Sequence, residues 1–351
     1  MTLYESSSSN EVGHVKQLPR QGLPRQGLPW IEKYRPNQIN NIISHQEIIN
    51  SLKKFIEMKT LPHLLFFGPS GSGKTSMIRC CGNELYGKYK DCMILQLNAS
   101  NERGIETVRT KIKNFVINRN NIFLPEEFRN IFKLVILDEI DSMTVEAQGM
   151  LRQTIEKNSM TTRFCLICND IDKINVALQS RCALFRFAPL RSKDMKSRLY
   201  EICEKEDVQF EPDAIEAIIK ISKGDMRSAI NILQHIHLTI LQKLTVENVY
   251  KISGHCMPSV NDDIFLILCR LRKKQISLQS CTNNVVKLIT ENNITIFNLL
   301  EELKNIVMES KLTNNQKIFL IDNFAQIEVY DAVNVDFKNI VMIISSLFLL
   351  I

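Results

Sequence analysis

Gly68-Pro69-Ser70-Gly71-Ser72-Gly73-Lys74-Thr75 has the residue types and spacing of a loop that wraps a phosphate. Glycines let successive backbone N–H groups turn toward one anion, and a helix starting behind them offers its unpaired N–H groups and positive dipole end. Lys74 would reach the β- and γ-phosphates of a nucleoside triphosphate; the Thr75 hydroxyl would be a ligand for Mg²⁺, with Ser76 closing the cradle. The apolar run Leu64–Phe67 ahead of the loop reads as a buried strand, and Ser76–Leu85 behind it has a helical pattern.

A second group sits at the end of another apolar run, Leu134-Val135-Ile136-Leu137-Asp138-Glu139. Asp138 is suited to hold Mg²⁺ through its water shell, and Glu139 to polarise an attacking water. An apolar run that ends in acids says little alone; behind a phosphate loop it argues for hydrolysis rather than binding only. Asn169 ends a further strand, expected between the Leu64–Phe67 and Lys133–Leu137 strands, where its amide would meet both the γ-phosphate and the lytic water. Arg181, in Ser180-Arg181-Cys182, falls in a loop before the last strand, and Arg227, in Gly224-Asp225-Met226-Arg227, opens a helix that could reach back over the phosphates.

The whole chain sets the frame for these groups. At 351 residues, with 44% hydrophobic and 23% charged positions, it has room for two or three folded domains of ordinary globular make-up. A net charge of +6 permits a nucleic-acid partner without demanding one. The ten cysteines follow no secreted-scaffold spacing and read as reduced, intracellular thiols. Cys165 and Cys168 form a CxxC inside an apolar run with no second pair at zinc spacing, so a buried strand is expected there, not a metal or redox centre. The apolar run Ile340–Ile351 is too short to span a bilayer and is expected to be a buried, oligomer-facing helix. No membrane partner is expected.

Residues 1–28, with the run Ser6–Ser9 and a tandem Leu-Pro-Arg-Gln-Gly repeat, read as a low-complexity tail. From 29 to 190, strands Leu64–Phe67, Met93–Leu97, Lys133–Leu137, Arg163–Cys168 and Leu184–Phe187 alternate with helical patterns such as Glu106–Phe115 and Val145–Glu156. This is the pattern of an α/β domain of three layers around a five-stranded parallel sheet, with its ligand at the carboxyl ends of the strands. Residues 191–254 are helical, a lid over the nucleotide domain, and 255–351 are all-helical again.

The order Trp30-Ile-Glu-Lys-Tyr-Arg-Pro36, Gly68–Thr75, Leu97-Asn-Ala-Ser100, Asp138-Glu139, Thr162–Asn169, Ser180-Arg-Cys182 and Gly224–Arg227 resembles the small subunits of replication factor C, AAA+ ATPases of the eukaryotic sliding-clamp loader. Cys165–Asn169, Ala177–Cys182 and Phe185–Phe187 bring it nearest the subunit numbered five in one nomenclature and three in another. The resemblance is strong from about Leu28 to Gly254 and weak beyond. It implies ATP and Mg²⁺ as ligands, Ile31 and Ile43 flanking the adenine, and Tyr34 and Arg35 close to the same pocket. It implies that Asn169 is sensor 1, that Arg227 is sensor 2, and that Arg181 is an arginine finger acting in trans on a neighbour's ATP. The last helices become an oligomerisation collar. The implied partners are one large and three other small subunits in a hetero-pentamer, the sliding clamp (PCNA) and primer–template DNA, and the implied compartment is the nucleus.

Two features depart from the family pattern. Ile140 replaces a usual alanine between Glu139 and Asp141, and is expected to pack behind the site. Arg152-Gln153 stands where two arginines are usual, which leaves one basic group there. Arg103, Arg109, Lys111 and Lys113 cluster near one helix, and Arg109 and Lys113 share a face suited to DNA phosphates. Val116–Leu124, with Ile122 and Phe123, is a candidate clamp contact or buried core. The residues leave open an alternative in which ATP is a structural ligand and the subunit mainly supplies Arg181 to its neighbour.

Overall fold

The computed structural model describes residues 27–100, 105–117, 131–239, 243–292, 294–332 and 336–351. Nearly all of the expected tail, Arg103, Ile122 and Phe123 lie outside the described residues.

Strands β1 (Leu64–Phe67), β2 (Ile94–Asn98), β3 (Lys133–Asp138), β4 (Thr162–Cys168) and β5 (Ala183–Arg186) form one parallel sheet in the order β2-β3-β4-β1-β5. Alternation of side chains explains why the central strands are continuous apolar runs. Leu64 and Phe66, Leu134 and Ile136, and Cys165 and Ile167 enter one core. Leu65, Val135, Leu137, Phe164, Leu166 and Cys168 enter a second core on the opposite face. The CxxC cysteines are therefore buried strand residues, and all ten cysteines are free thiols. Burial pushes the Cys168 thiol up to about 12, which keeps it protonated. The strand expected from Met93 begins one residue later, because Lys90–Met93 first closes a helical turn.

Helix α1 (Trp30–Lys33) precedes the sheet, and α2 (Gln46–Glu57), α3 (Lys74–Tyr86), α4 (Ile105–Ile117), α5 (Val145–Asn158) and α6 (Val176–Gln179) accompany it. Helix α5 starts where the Thr144 hydroxyl accepts from the Ala147 N–H at 3.3 Å, satisfying a donor that the first turn leaves unpaired. Ile140 is fully buried in the core beneath this helix, behind the site as expected.

After β5 the chain turns helical. Helices α7 (Ser192–Lys205), α8 (Pro212–Ser222), α9 (Met226–Thr239) and α10 (Val246–Ser253) surround a core of Leu199, Ile215, Ile218, Leu233 and Val249. Pro212 occupies the first turn of α8, where its missing N–H costs nothing. Trp30 and Tyr34 also belong to this core, so α1 leaves the sheet and docks on the helical unit. Gly254, at φ +69°, ends α10 in the left-handed conformation.

Helices α11 (Pro258–Arg272), α12 (Leu278–Glu291), α13 (Ile296–Glu309), α14 (Asn314–Ala332) and α15 (Phe337–Leu350) share a separate core that includes Leu268, Leu303, Ile344 and Phe348. Helix α15 buries Ile340, Ile344 and Phe348 and exposes Met342 and Leu350. Among the described residues no helix is long and apolar enough to cross a membrane.

Candidate nucleotide site

The sheet order sets the carboxyl ends of β3, β4 and β1 side by side. β1 runs into the glycine-rich loop, β3 ends at Asp138, and β4 leads into Asn169, so the three candidate groups meet at one edge. Asn169 follows the strand between the other two, the position expected for it.

Lys74, 7% exposed, directs its ammonium back over the loop. Nζ donates to the Gly68 carbonyl at 2.6 Å, the Pro69 carbonyl at 2.8 Å and Asn169 Oδ1 at 3.0 Å. Burial draws its pKa down from the usual lysine range, with Asp138 opposing that shift. Gly68 and Pro69 thus act through their carbonyls and do not line the pocket. The pocket walls include Ser70, Gly71, Ser72, Gly73, Lys74, Thr75 and Ser76.

The Thr75 hydroxyl donates to Asp138 Oδ2 at 2.8 Å. These hard oxygen donors fit Mg²⁺, which ordinarily takes one or two protein oxygens together with phosphate oxygens and water. Glu139 lines the same pocket and holds φ +57°, an uncommon left-handed conformation for a residue other than glycine. Its carbonyl is pinned by the Ser142 N–H at 3.1 Å and the Ser142 hydroxyl at 2.7 Å. Asp141 accepts from the backbone N–H groups of Asn169 and Asp170, at 3.1 and 3.3 Å, and so ties β4 to the turn after β3.

The amino-terminal segment supplies Ile31, Tyr34, Arg35 and Ile43 to the wall, and Ile43 keeps 40% exposure, an open apolar surface beside the phosphate loop. The Tyr34 hydroxyl donates to Glu206 at 2.5 Å, and burial with that carboxylate raises its pKa. Arg35 donates to Glu32 at 2.6 Å; burial first, then nearby Arg79 and Arg227, lower its pKa. The helical unit closes the pocket with Leu190, Asp194, Arg198, Met226, Arg227 and Ile230. Sequence reasoning missed His45, Asp194 and Arg198 on these walls. None stands in a spacing pattern that announces a nucleotide.

Arg181 is absent from this pocket's walls and instead pairs with Glu156 on α5 at 2.5 Å. Burial pushes the adjacent Cys182 thiol up to about 11. Lys113 is exposed on α4, while Arg109 belongs to the same helix with its side chain outside the described residues.

Comparison with known proteins agrees with this geometry. Residues 64–190 match the AAA model, the ATPase family associated with various cellular activities, and residues 192–249 match the RFC1-like AAA+ ATPase lid domain. A putative replication factor C small subunit of Acanthamoeba polyphaga mimivirus is 70% identical over 324 residues, covering 92% of this chain and 94% of that protein. The chain belongs to the replication factor C small-subunit family. Replication factor C subunit 5 of Homo sapiens is 42% identical, covering 86% of this chain and 85% of the relative. Subunit 3 of Schizosaccharomyces pombe is 40% identical, covering 86% and 84%. As a replication factor C small subunit, the protein is an ATP-hydrolysing component of a clamp loader that works in DNA replication within a multi-subunit complex. Its fold is shared with a RuvB of Thermotoga maritima at a TM-score of 0.51 and 18% identity, covering 76% of this chain and 91% of that one.

Proposed function

We propose that this subunit binds MgATP between its sheet edge and lid and hydrolyses it, within a hetero-pentamer of one large and four small subunits that opens the sliding clamp PCNA and places it on primer–template DNA. The observation that carries this reading is the convergence of Lys74, Thr75, Asp138, Glu139 and Asn169 in one pocket at the carboxyl edge of the sheet.

In this account Lys74 and the loop N–H groups hold the β- and γ-phosphates, and Ile31 and Ile43 flank the adenine. Thr75 and Asp138 would hold Mg²⁺, which would supply charge neutralisation on the phosphate oxygens. Glu139 accepts a proton from the attacking water, Asn169 orients that water against the γ-phosphate, and Arg227 contacts the phosphates from the lid. Arg181 serves the neighbouring subunit's ATP, a role supported by its exclusion from its own pocket.

We further take residues 29–190 as the nucleotide domain, 191–254 as the lid and 255–351 as the collar, in keeping with their cores except that Trp30 and Tyr34 join the lid's. Arg103, Arg109 and Lys113 track DNA phosphates, and residues 116–124 face the clamp. The compartment proposed is the nucleus, where a loader of this type meets replicating and repaired DNA; fractionation of cells that contain the protein tests it. The site itself is tested by Lys74→Ala in the assembled complex, which abolishes ATP binding at this subunit. Undiminished binding would overturn the reading.

A further inference from the structure

The third residue of the phosphate loop is tied to the lid. Ser70 Oγ donates to Asp225 Oδ2 at 2.9 Å, across 155 residues of sequence. The other oxygen of the same carboxylate, Oδ1, accepts the backbone N–H groups of Arg227 at 2.7 Å and Ser228 at 3.1 Å. One side chain therefore holds the phosphate loop and fixes the first turn of α9, the turn that carries Arg227.

The approach is close enough to constrain the loop's own sequence. A Cβ on Gly71 would lie 1.7 Å from Asp225 Oδ1 and 2.2 Å from its Cγ, whereas a Cβ on Gly73 would meet nothing within 4 Å. Both glycines have positive φ, so both answer a backbone demand, but only Gly71 also leaves space for the lid. The lid is anchored a second time at Gly224, whose carbonyl accepts the Leu190 N–H at 3.1 Å and where a Cβ would meet Pro189 Cβ at 2.7 Å. Two contacts, one on the chain entering the lid and one on the loop tip, fix the angle of α9 over the pocket.

A carboxylate beside a triphosphate would ordinarily oppose binding. Here its two oxygens are met by two helix-terminal N–H groups and one hydroxyl, which draw its field inward. Asp225 can therefore approach the loop while Arg227, two residues on, lines the pocket.

We propose that Ser70 and Asp225 form a clasp that transmits the position of the phosphate loop to Arg227, so that Asp225 is a positioning residue for hydrolysis. The proposal rests on the reading that this pocket binds ATP and that Arg227 contacts its phosphates. Asp225 does not line the pocket, whereas the two residues it holds, Ser70 and Arg227, do. Its effect is to hold Arg227 where the γ-phosphate is, so breaking the clasp costs turnover and preference for ATP over ADP, with little cost in ADP affinity.

The test uses the assembled loader in which only this subunit retains a working phosphate loop, with Ser70→Ala, Ser70→Thr and Arg227→Ala compared with wild type. ADP and ATP affinities are measured by a fluorescent-nucleotide titration, and kcat and KM by steady-state turnover. Ser70→Ala is expected to lower kcat roughly tenfold, the scale of one hydrogen bond to a charged group, and to narrow the ATP-over-ADP preference while ADP affinity stays within about twofold of wild type. Ser70→Thr, which keeps the hydroxyl, restores both. Wild-type kcat and nucleotide preference in Ser70→Ala, or failure of threonine to rescue, would overturn the clasp. If Arg227→Ala also changes neither quantity, the reading of Arg227 has failed and the clasp falls with it. An effect of Arg227→Ala without one of Ser70→Ala refutes the clasp alone.

Discussion

Arg181 holds its Nη2 2.5 Å from a Glu156 carboxylate oxygen while its Nη1 donates to the Ala177 carbonyl at 2.7 Å. The same carboxylate lies 3.7 Å from Arg152 Nε, one turn earlier on α5. Two guanidinium groups thus share one anion, and the cluster keeps a net positive charge at the surface. The ion pair is about two-fifths exposed on both sides and contributes little to stability. Its consequence is geometric, because the Glu156 pair and the Ala177 contact hold the Arg181 guanidinium in one place.

If that neighbour's phosphate is its target, Arg181→Ala leaves this subunit's own ATP affinity nearly intact. Turnover at the adjoining subunit falls by about 10³-fold or more, since the lost guanidinium no longer neutralises charge developing on the γ-phosphate. The measurement is single-site turnover in complexes where only the neighbour has a working phosphate loop. Full activity there would leave Arg181 a surface arginine.

Glu139→Gln separates binding from chemistry. If its carboxylate takes a proton from the attacking water and holds no phosphate, ATP affinity persists while turnover falls by about 10²–10⁴-fold. Filter binding and phosphate release on one preparation check both halves. An equal loss of affinity would assign Glu139 to binding instead.

Acid lability should trace in part to His63. Its Nδ1 accepts the Phe164 N–H at 3.2 Å, and burial followed by the nearby Arg163 pulls its pKa down to about 4. An unfolded histidine titrates near about 6.5, so between these values the unfolded chain binds more protons than the fold does. The contribution is complete above about pH 6.5 and fades as pH falls toward 4, by at most roughly 3 kcal/mol. Urea midpoints at pH 7 and 4.5 for wild type and His63→Asn check it: the variant, which still offers an acceptor, should show the shallower acid loss.

These predictions draw on two kinds of information. The phosphate loop, the acids at the end of β3 and the positions of the strands were legible because each is local: a run of adjacent residues, or an apolar stretch of the right length. The buried alternation of Leu64, Leu65 and Phe66 is written directly in the sequence. The clasp from Ser70 to Asp225, the Arg181–Glu156 pair and the Tyr34–Glu206 bond were not legible, because each joins elements whose proximity only the packed fold creates. Asp225 lay inside a motif noticed for Arg227, and Tyr34 was expected beside the adenine pocket without its bond to Glu206. The left-handed backbone of Glu139 and His45 left no composition signal either, since glycine is the residue that announces such a conformation.

Lys113 is exposed on α4, and Arg109 stands one turn before it. Replacing both with alanine in the assembled loader should weaken DNA binding equally across sequences and reduce the slope of log K against log salt by about one to two. An unchanged slope, from titrations at several salt concentrations, would show that this face is only solvated.

The central claim is that this subunit turns over ATP at its own pocket as part of a clamp loader. The direct measurement is phosphate release, with clamp and primed DNA added, from a complex in which every other subunit carries an inactivated phosphate loop. The account predicts turnover that clamp and primed DNA stimulate and that Glu139→Gln removes. Turnover no higher than that of a complex with all phosphate loops inactivated would contradict it, leaving ATP at this site a structural ligand.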